Sequence, residues 1–361
     1  MPSIFSFFSG IGLLDLGFEN AGFNIRSVNE LNPPYLQGYA HARTQLGLPK
    51  PEFGYFAEDV DNLCSEVGIR RLHAMVEEVK KEDLTGFIGG PPCPDFSNGG
   101  KNRGRLGENG RLSEVYTNVI TNAKPDFFVF ENVKGLWRTR RHREFYEELK
   151  RELRNAGYSL ADQLFNAIEF GVPQDRERII LIGIKSDLLR NPISAFKWDS
   201  YKSFPGRAAL ELTWPATEPP SIEREMPLGI AKELTAFNWF ADNNVTDHPN
   251  AQHRFEARAG LKRFQETWEG DTSHKSFKRL HRWRYSPTAA YGNNEVHIHP
   301  WESRRISVAE ALAIQSLPST FQLPSAMTLT AMFKAIGNGV PYLLSNGIAK
   351  SLLDFLNESV L

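Results

Sequence analysis

The sequence predicts an α/β protein, a doubly wound and mostly parallel sheet joined to a second, smaller and irregular domain. Two observations predict it. In the first half of the chain, short β-rich runs alternate with segments that carry apolar residues at helical spacing, the pattern of strands and crossover helices. Beyond about residue 188 that alternation stops, and the chain turns rich in Pro, Asn, His, Trp and charge without a sustained period. With 361 residues, of which 41% are hydrophobic, 24% charged and 12% aromatic, there is ample material for a large core.

The candidate strands, in order, are IFSFF (4–8), NIRSVNE (24–30), GFIGG (86–90), DFFVFEN (126–132) and RIILIGI (178–184). Helical spacing places helices over 13–22, 32–46, 69–81, 112–123 and 142–157, several of them closing on Gly or Asn. Helical patterning resumes in SVAEALAIQSLP (307–318) and in the long C-terminal run 332–356, where a glycine turn feeds an amphipathic helix. No internal repeat and no low-complexity tract interrupts this order. In a doubly wound sheet ligands sit at the carboxyl ends of the strands, so the residues just after each strand are the candidates for chemistry.

Two cysteines, Cys64 and Cys93, make no disulfide framework and point to a reducing compartment. The N-terminal residues lack the features of a signal peptide and no apolar run has the length of a membrane span, so a cytoplasmic location without membrane attachment is expected. The net charge of −1 does not mark the whole chain as a nucleic-acid binder. Local clusters do carry such a footprint: KNRGRLGENGR (101–111), RTRRHR (138–143) and KSFKRLHRWR (275–284), the last interleaved with aromatics.

Gly10 and Gly12 follow the first strand and precede a helix, where a missing side chain lets backbone approach a ligand. Asp15 stands where a dinucleotide site would place its third glycine, which disfavours a nicotinamide cofactor. Glu30 ends the second strand about 20 residues on, where an acid can accept from ribose hydroxyls; together these imply an adenosine-type cofactor. Cys93 lies in PPCPDFS just after the third candidate strand. Prolines on both sides stiffen that loop, which makes the thiol a candidate nucleophile, whereas Cys64 reads as a small buried hydrophobe. Glu131 ends another apolar strand at the same edge, where a buried carboxyl can hydrogen-bond or protonate a ring nitrogen. In GVPQDRERIILIGI, Gln174, Arg176 and Arg178 precede the last strand, and alternation puts both arginines on one side toward one target. No Cys pair or HExxH supports a metal centre, so none is expected; histidines in HIHP suit base-edge or phosphate contacts better.

Taken together, these motifs resemble the DNA cytosine-5 methyltransferase family. FSGIGLLDLGFENAGF looks like its first motif, GGPPCPDFSNGGK its catalytic loop, FENVKGL its glutamate motif and GVPQDRERIILIGI its arginine motif. RRISVAEALAIQSLP and AIGNGVPYLLSNGIA resemble its last two motifs. The resemblance implies an S-adenosylmethionine-dependent, Rossmann-like catalytic domain over residues 1–188 and 335–361, with a target-recognition domain and hinge over 189–334. It implies Cys93 as nucleophile, Glu131 at cytosine N3, and Arg176 and Arg178 as active-site arginines. The cofactor would lie against Phe8, Gly10, Ile11, Gly12, Glu30, Asp59, Val60, Pro92, Leu112, Asn338 and Val340. Ser97 would fix the catalytic loop on DNA, with Lys101, Arg103, Lys278, Arg279 and Arg282 as further DNA contacts. Ser9, Leu13, Pro94 and Gly339 depart from the family pattern and bear on rate and cofactor affinity.

The implied reaction is methyl transfer from S-adenosyl-L-methionine to C5 of a cytosine flipped out of duplex DNA, through a covalent bond between Cys93 and C6. The implied partners are double-stranded DNA and a cognate restriction endonuclease acting on the same site, with the enzyme itself a monomer. A transfer-RNA cytosine methyltransferase shares this chemistry, although the long middle segment favours a DNA reader. A non-catalytic DNA-binding relative would not need Cys93 and Glu131, and a nicotinamide oxidoreductase would have no use for the cysteine loop.

Overall fold

A computed structural model describes residues 1–92, 108–138, 140–206, 208–220, 223–257, 260–289, 291 and 295–360. Cys93, Ser97, Pro94, Lys101 and Arg103 lie outside the described residues. The elements of the first half are β1 (Ser3–Phe7), α1 (Leu13–Ala21), β2 (Asn24–Asn29), α2 (Pro33–Gln45), β3 (Gly54–Phe56), α3 (Glu66–Val79) and β4 (Thr85–Gly89). They continue with α4 (Glu108–Ala123), β5 (Phe127–Val133), α5 (Gly135–Arg138), α6 (Arg140–Asn155), β6 (Tyr158–Asn166) and β7 (Glu177–Lys185).

The strands form one seven-stranded sheet in the order β3-β2-β1-β4-β5-β7-β6. β1 to β5 pair in parallel, and β7 runs antiparallel between β5 and β6. Period-two alternation divides its side chains between two cores. Ile4, Ile88, Phe127, Val129, Ile180 and Ile182 face α1 and the C-terminal helix, while Phe5, Phe7, Phe87, Phe128, Phe130 and Leu181 face α3, α4 and α6. Burying both faces explains why the strands read as near-continuous apolar runs.

Two strands escape the sequence reading. β3 has three residues, too few to show a period, and β6 (YSLADQLFN) is half-buried and lacks β-branched side chains. Helix starts follow capping chemistry: Asn32 accepts from the Tyr35 N–H ahead of Pro33, and Ser65 accepts from the Gly68 N–H, which starts α3 three residues earlier than periodicity suggests. Cys64 is exposed, contrary to its reading as a small buried hydrophobe. It closes a 3₁₀ turn, Val60–Cys64, whose three-residue period turns Val60 and Leu63 inward and leaves Cys64 outside.

After β7 come α7 (Ala208–Glu211), α8 (Ala236–Asp242), α9 (Leu261–Glu266), β8 (Lys278–Arg279), β9 (His297–Ile298), α10 (Val308–Ile314), α11 (Leu329–Asn338) and α12 (Tyr342–Ser359). The irregularity expected here is observed among the described residues: α7, α8 and α9 have 4, 7 and 6 residues, and β8 pairs with β9 over two. A third core joins this part to the sheet, since Ala236, Phe240 and Leu280 pack with α10 and α11 against Ile11, Leu13 and Leu16. Among the described residues, no helix is long and apolar enough to cross a membrane.

Candidate active site and cofactor edge

β1, β2, β3, β4 and β5 end at one edge of the sheet, and the turns that leave them carry the candidate residues. After β1 the backbone enters left-handed conformations at Phe8, Gly10 and Gly12, with φ of 52°, 57° and 88°. The two glycines serve different ends. A Cβ on Gly12 would meet the Tyr39 ring at 2.6 Å, whereas one on Gly10 would meet nothing within 4 Å. The Gly10 N–H donates to Glu30 Oε2 and the Asn32 N–H to Glu30 Oε1, each at 2.8 Å, so the acid at the end of β2 braces the glycine loop. Burial pushes the Glu30 carboxyl up, and these two bonds counter it.

Asp15 lies beneath that loop, accepting from the Ser6 hydroxyl at 2.9 Å and the Tyr39 hydroxyl at 2.7 Å. Burial pushes its carboxyl up to about 6. A third glycine would leave β1, α1 and α2 without this tie. At the end of β3, Asp59 accepts from the Asp61 N–H at 3.0 Å and starts the turn on which Val60 is buried. An ion pair between Arg111 and Asp61 brings the start of α4, with Leu112, to the same turn. Pro92 is exposed just past β4. Asn338 is exposed and Val340 buried in the α11–α12 turn, which lies on α1: a Cβ on Gly339 would meet Leu13 Cδ2 at 2.5 Å. The departures at Gly339 and Leu13 thus pack against one another. The residues expected around a cofactor gather along the β3-β2-β1-β4 edge.

β5 delivers Glu131 to the same edge, on the face shared with Phe127 and Val129. Glu131 pairs in register with Ile180 and Val133 with Arg178, so Arg178 is the diagonal neighbour of Glu131. Its Nε lies 2.7 Å from Glu131 Oε1. Gly90 makes room, since a Cβ there would meet Glu131 Oε2 at 2.5 Å. Burial pushes the Glu131 carboxyl up, with Arg178 and then Arg176 opposing.

The expectation that both arginines aim at one target needs correction. Arg178 meets Glu131, but Arg176, 1% exposed, turns away and donates to the carbonyls of Gly337, Gly339 and Ala289 at 2.7, 3.0 and 3.1 Å. A second correction concerns the cluster 275–284. Arg279 is 0% exposed and donates to the carbonyls of Phe264, Thr267, His299, Pro300 and Glu302. Arg282 is buried against Glu269, with Nε to Oε1 at 2.9 Å and Nη2 to Oε2 at 3.0 Å. Neither guanidinium has surface to offer a phosphate; Lys278 is half-buried. Sequence reasoning missed Gly90, the Ser6–Asp15–Tyr39 tie and Gln315, which bonds to Gln174. A glycine ending a strand beside an acid-bearing strand is the one signal that pointed to Gly90.

A doubly wound sheet with a glycine loop braced by the acid of β2, and a buried Glu–Arg pair delivered by β5 to the same edge, defines an α/β protein whose ligand-binding edge lies at the carboxyl ends of its strands. Residues 3–354 match the family model for C-5 cytosine-specific DNA methylase, and the chain belongs to that family. It is 56% identical to the Type II methyltransferase M.NmeDI of Neisseria meningitidis serogroup C, over 98% of this chain and 84% of that protein. It is 29% identical to M.FnuDI of Fusobacterium nucleatum, over 98% and 95%. Among solved structures, one assigned as a prophage-encoded DNA modification methyltransferase of E. coli superposes with a TM-score of 0.68 at 22% identity, covering 99% of this chain and 100% of that one. The S. pombe Dnmt2 methyltransferase shares the fold with a TM-score of 0.62 at 15% identity, covering 98% and 99%. The activity is DNA cytosine-5 methylation, which requires a methyl donor and a DNA substrate. The nicotinamide oxidoreductase and non-catalytic readings fall with this finding.

Proposed function

We propose that Cys93 is the nucleophile, that Glu131 with Arg178 receives the target cytosine, and that the methyl donor is S-adenosylmethionine. The buried Glu131–Arg178 pair at the carboxyl edge of β5, beside Gly90, which stands three residues before Cys93 in sequence, carries this reading. The cofactor edge fits an adenosine compound by its donor set. Glu30 uses one lone pair on each oxygen for backbone N–H groups, and a carboxylate has about four, which leaves two for a ribose diol. Phe8, Gly10, Ile11 and Gly12 supply the close backbone. Asp59, Val60, Pro92 and Leu112 flank it on one side and Asn338 and Val340 on the other.

Cytosine C5 is a poor nucleophile. Addition of the Cys93 thiolate to C6 breaks the C5=C6 double bond and places its electron pair at C5. Glu131, held more protonated than a free glutamate by burial, donates to N3 and offsets the charge that addition creates. Arg178 fixes the Glu131 carboxyl for that contact. S-adenosylmethionine, when bound, would supply the electrophilic methyl group that the C5 electron pair takes, the S–CH3 bonding pair leaving with S-adenosylhomocysteine. Loss of the C5 proton then restores the double bond and expels the thiolate. Because C6 is inaccessible in a stacked duplex, the cytosine must be flipped to reach Cys93.

In this reading residues 1–188 and 335–361 form the catalytic unit and 189–334 the target-recognition unit and hinge. The Type II relatives support a role in restriction–modification. In this reading the enzyme acts on DNA in the cytoplasm as a monomer, beside an endonuclease of the same specificity. The test is to treat unmethylated plasmid DNA with the protein and S-adenosylmethionine and map it by bisulfite sequencing. Protection of cytosines in one recurring sequence is expected. Methyl label found on no cytosine of DNA, or on transfer RNA in its place, overturns the reading.

A further inference from the structure

Four segments far apart in the chain meet at the buried side chains of Gln174, Arg176 and Gln315, which are 0%, 1% and 0% exposed. Arg176 Nη2 donates to the carbonyls of Gly337 and Gly339, the two residues that flank Asn338. Its Nη1 donates to the carbonyl of Ala289, whose own N–H donates to Gln174 Oε1 at 3.0 Å. Gln174 Nε2 reaches Gln315 Oε1 at 3.2 Å, and Gln315 Nε2 donates to the Ile336 carbonyl at 2.6 Å. Backbone bonds from Asp175 to the Ser286 carbonyl and from Ser286 to the Pro173 carbonyl seat the returning chain on the same loop, at 2.9 and 2.8 Å. The loop before β7 therefore holds both the turn with Asn338 and Val340 and the segment 286–289 that returns from the middle of the chain.

A guanidinium presents its donors in a fixed plane, so carbonyls from two segments bound to one fork keep a set spacing and tilt. Apolar contacts, which have no direction, would let them slide. We infer that Arg176 is a positioning residue that locks the Asn338 turn to segment 286–289, so that occupation of the cofactor edge and occupation of the DNA side favour each other. A ligand that orders one segment through the shared fork has already met part of the ordering cost for the other. This gives the two arginines separate tasks, Arg178 at the reacting base and Arg176 behind it. The inference rests on the proposed placement of the cofactor at Asn338 and Val340 and of DNA against the proposed target-recognition unit, 189–334, to which segment 286–289 belongs.

Calorimetric binding of S-adenosylhomocysteine, with and without unmethylated plasmid DNA, tests it on the full chain. The parent is expected to bind about tenfold more tightly with DNA present, ~1.4 kcal/mol of coupling. Arg176→Lys keeps the charge but offers a point donor in place of a fork, and its ratio should fall to about one. Gln174→Met keeps the Arg176 fork on Gly337, Gly339 and the Ala289 carbonyl but removes the partner of the Ala289 N–H and of Gln315; it should give an intermediate ratio, and it decides the matter if Arg176→Lys does not fold. A purely structural arginine would lower both affinities together and keep the parent's ratio; that result, or a parent ratio of one, overturns the lock. Asn338→Ala separates the underlying reading: if it binds S-adenosylhomocysteine as the parent does, the cofactor placement is wrong and the inference falls by that route.

Discussion

The sheet and the middle segment hold themselves together by different physics. In the sheet, layers of Phe, Ile, Val and Leu on both faces form the interior, and the buried Glu131–Arg178 pair lies at its carboxyl edge. Among the described residues of the segment between β7 and α10, a small separate cluster of fully buried apolar residues is Ile168, Ala209 and Leu234, and the first of these comes from the sheet side. Beside the apolar contacts it makes with α10 and α11, the segment buries many polar groups: Arg279 gathers five carbonyls, Arg282 clasps Glu269, and His281 lies 3.3 Å from Glu218. A basic run on an irregular segment is therefore as apt to be its skeleton as its binding face. In a chain region with only short helices and strands, arginines satisfy buried carbonyls that would otherwise cost free energy.

Chemistry should be lost most completely from the sheet side. A duplex with 5-fluorocytosine at the target blocks loss of the C5 substituent, so the parent should form a denaturation-resistant protein–DNA adduct and Cys93→Ala none. Cys64→Ala should trap like the parent, because the exposed thiol is outside the site. Glu131→Gln should slow trapping by about 10²–10⁴ while keeping the fold. An adduct in Cys93→Ala would place the nucleophile elsewhere.

Stability should be lost most from the middle segment. Arg282→Met leaves the Glu269 carboxylate, which is 0% exposed, without its main partner, at an expected cost of ~3–5 kcal/mol. Limited proteolysis should then cut within 189–283 while the sheet stays intact. For contrast, Ile182→Val in the sheet core should cost ~0.5–1.5 kcal/mol without exposing any segment. Equal, global losses would show that the two regions unfold as one.

Acid should act on the two regions with opposite sign. The folded Asp15 carboxyl titrates at about 6, against 3.8 unfolded, so the folded state binds the extra proton between them. Stability from this group is fully present below the unfolded value and is lost as pH rises through 6, a swing on the order of 3 kcal/mol. His281 and His297 behave in reverse. Burial pushes them down from 6.5 to about 4 and about 3, so their contribution is present above 6.5 and is lost as pH falls toward those values. Urea midpoints of the parent minus those of Asp15→Asn should fall between pH 4 and 6, and proteolysis at pH 5 should reach the middle segment first. A flat difference would remove Asp15 from the account.

The smallest effect belongs to Lys278. Lys278→Ala should change stability by less than about 0.5 kcal/mol and reduce the salt slope of DNA binding by about one if the amine meets a phosphate. An unchanged slope would leave it a solvated residue. Arg279→Ala should instead destabilise the segment, since its five carbonyls lose their donor.

By itself the sequence determined the alternation that builds the sheet, the edge at which ligands must gather, and the residue types that meet there. Those are local properties: a period of two, a glycine after a strand, a proline-braced cysteine, an acid at a strand end. Only the tertiary structure decided what the arginines do. Arg176, Arg178, Arg279 and Arg282 have the same side chain in equally basic surroundings, yet one pairs with Glu131, one clasps Glu269 and two bind carbonyls up to 163 residues away. Strands β3 and β6 were hidden for a related reason, because neighbours in the sheet stabilise them more than their own residues do. Alternation along a strand sets the side on which a guanidinium starts; which acceptors lie within its reach depends on where distant turns come to rest.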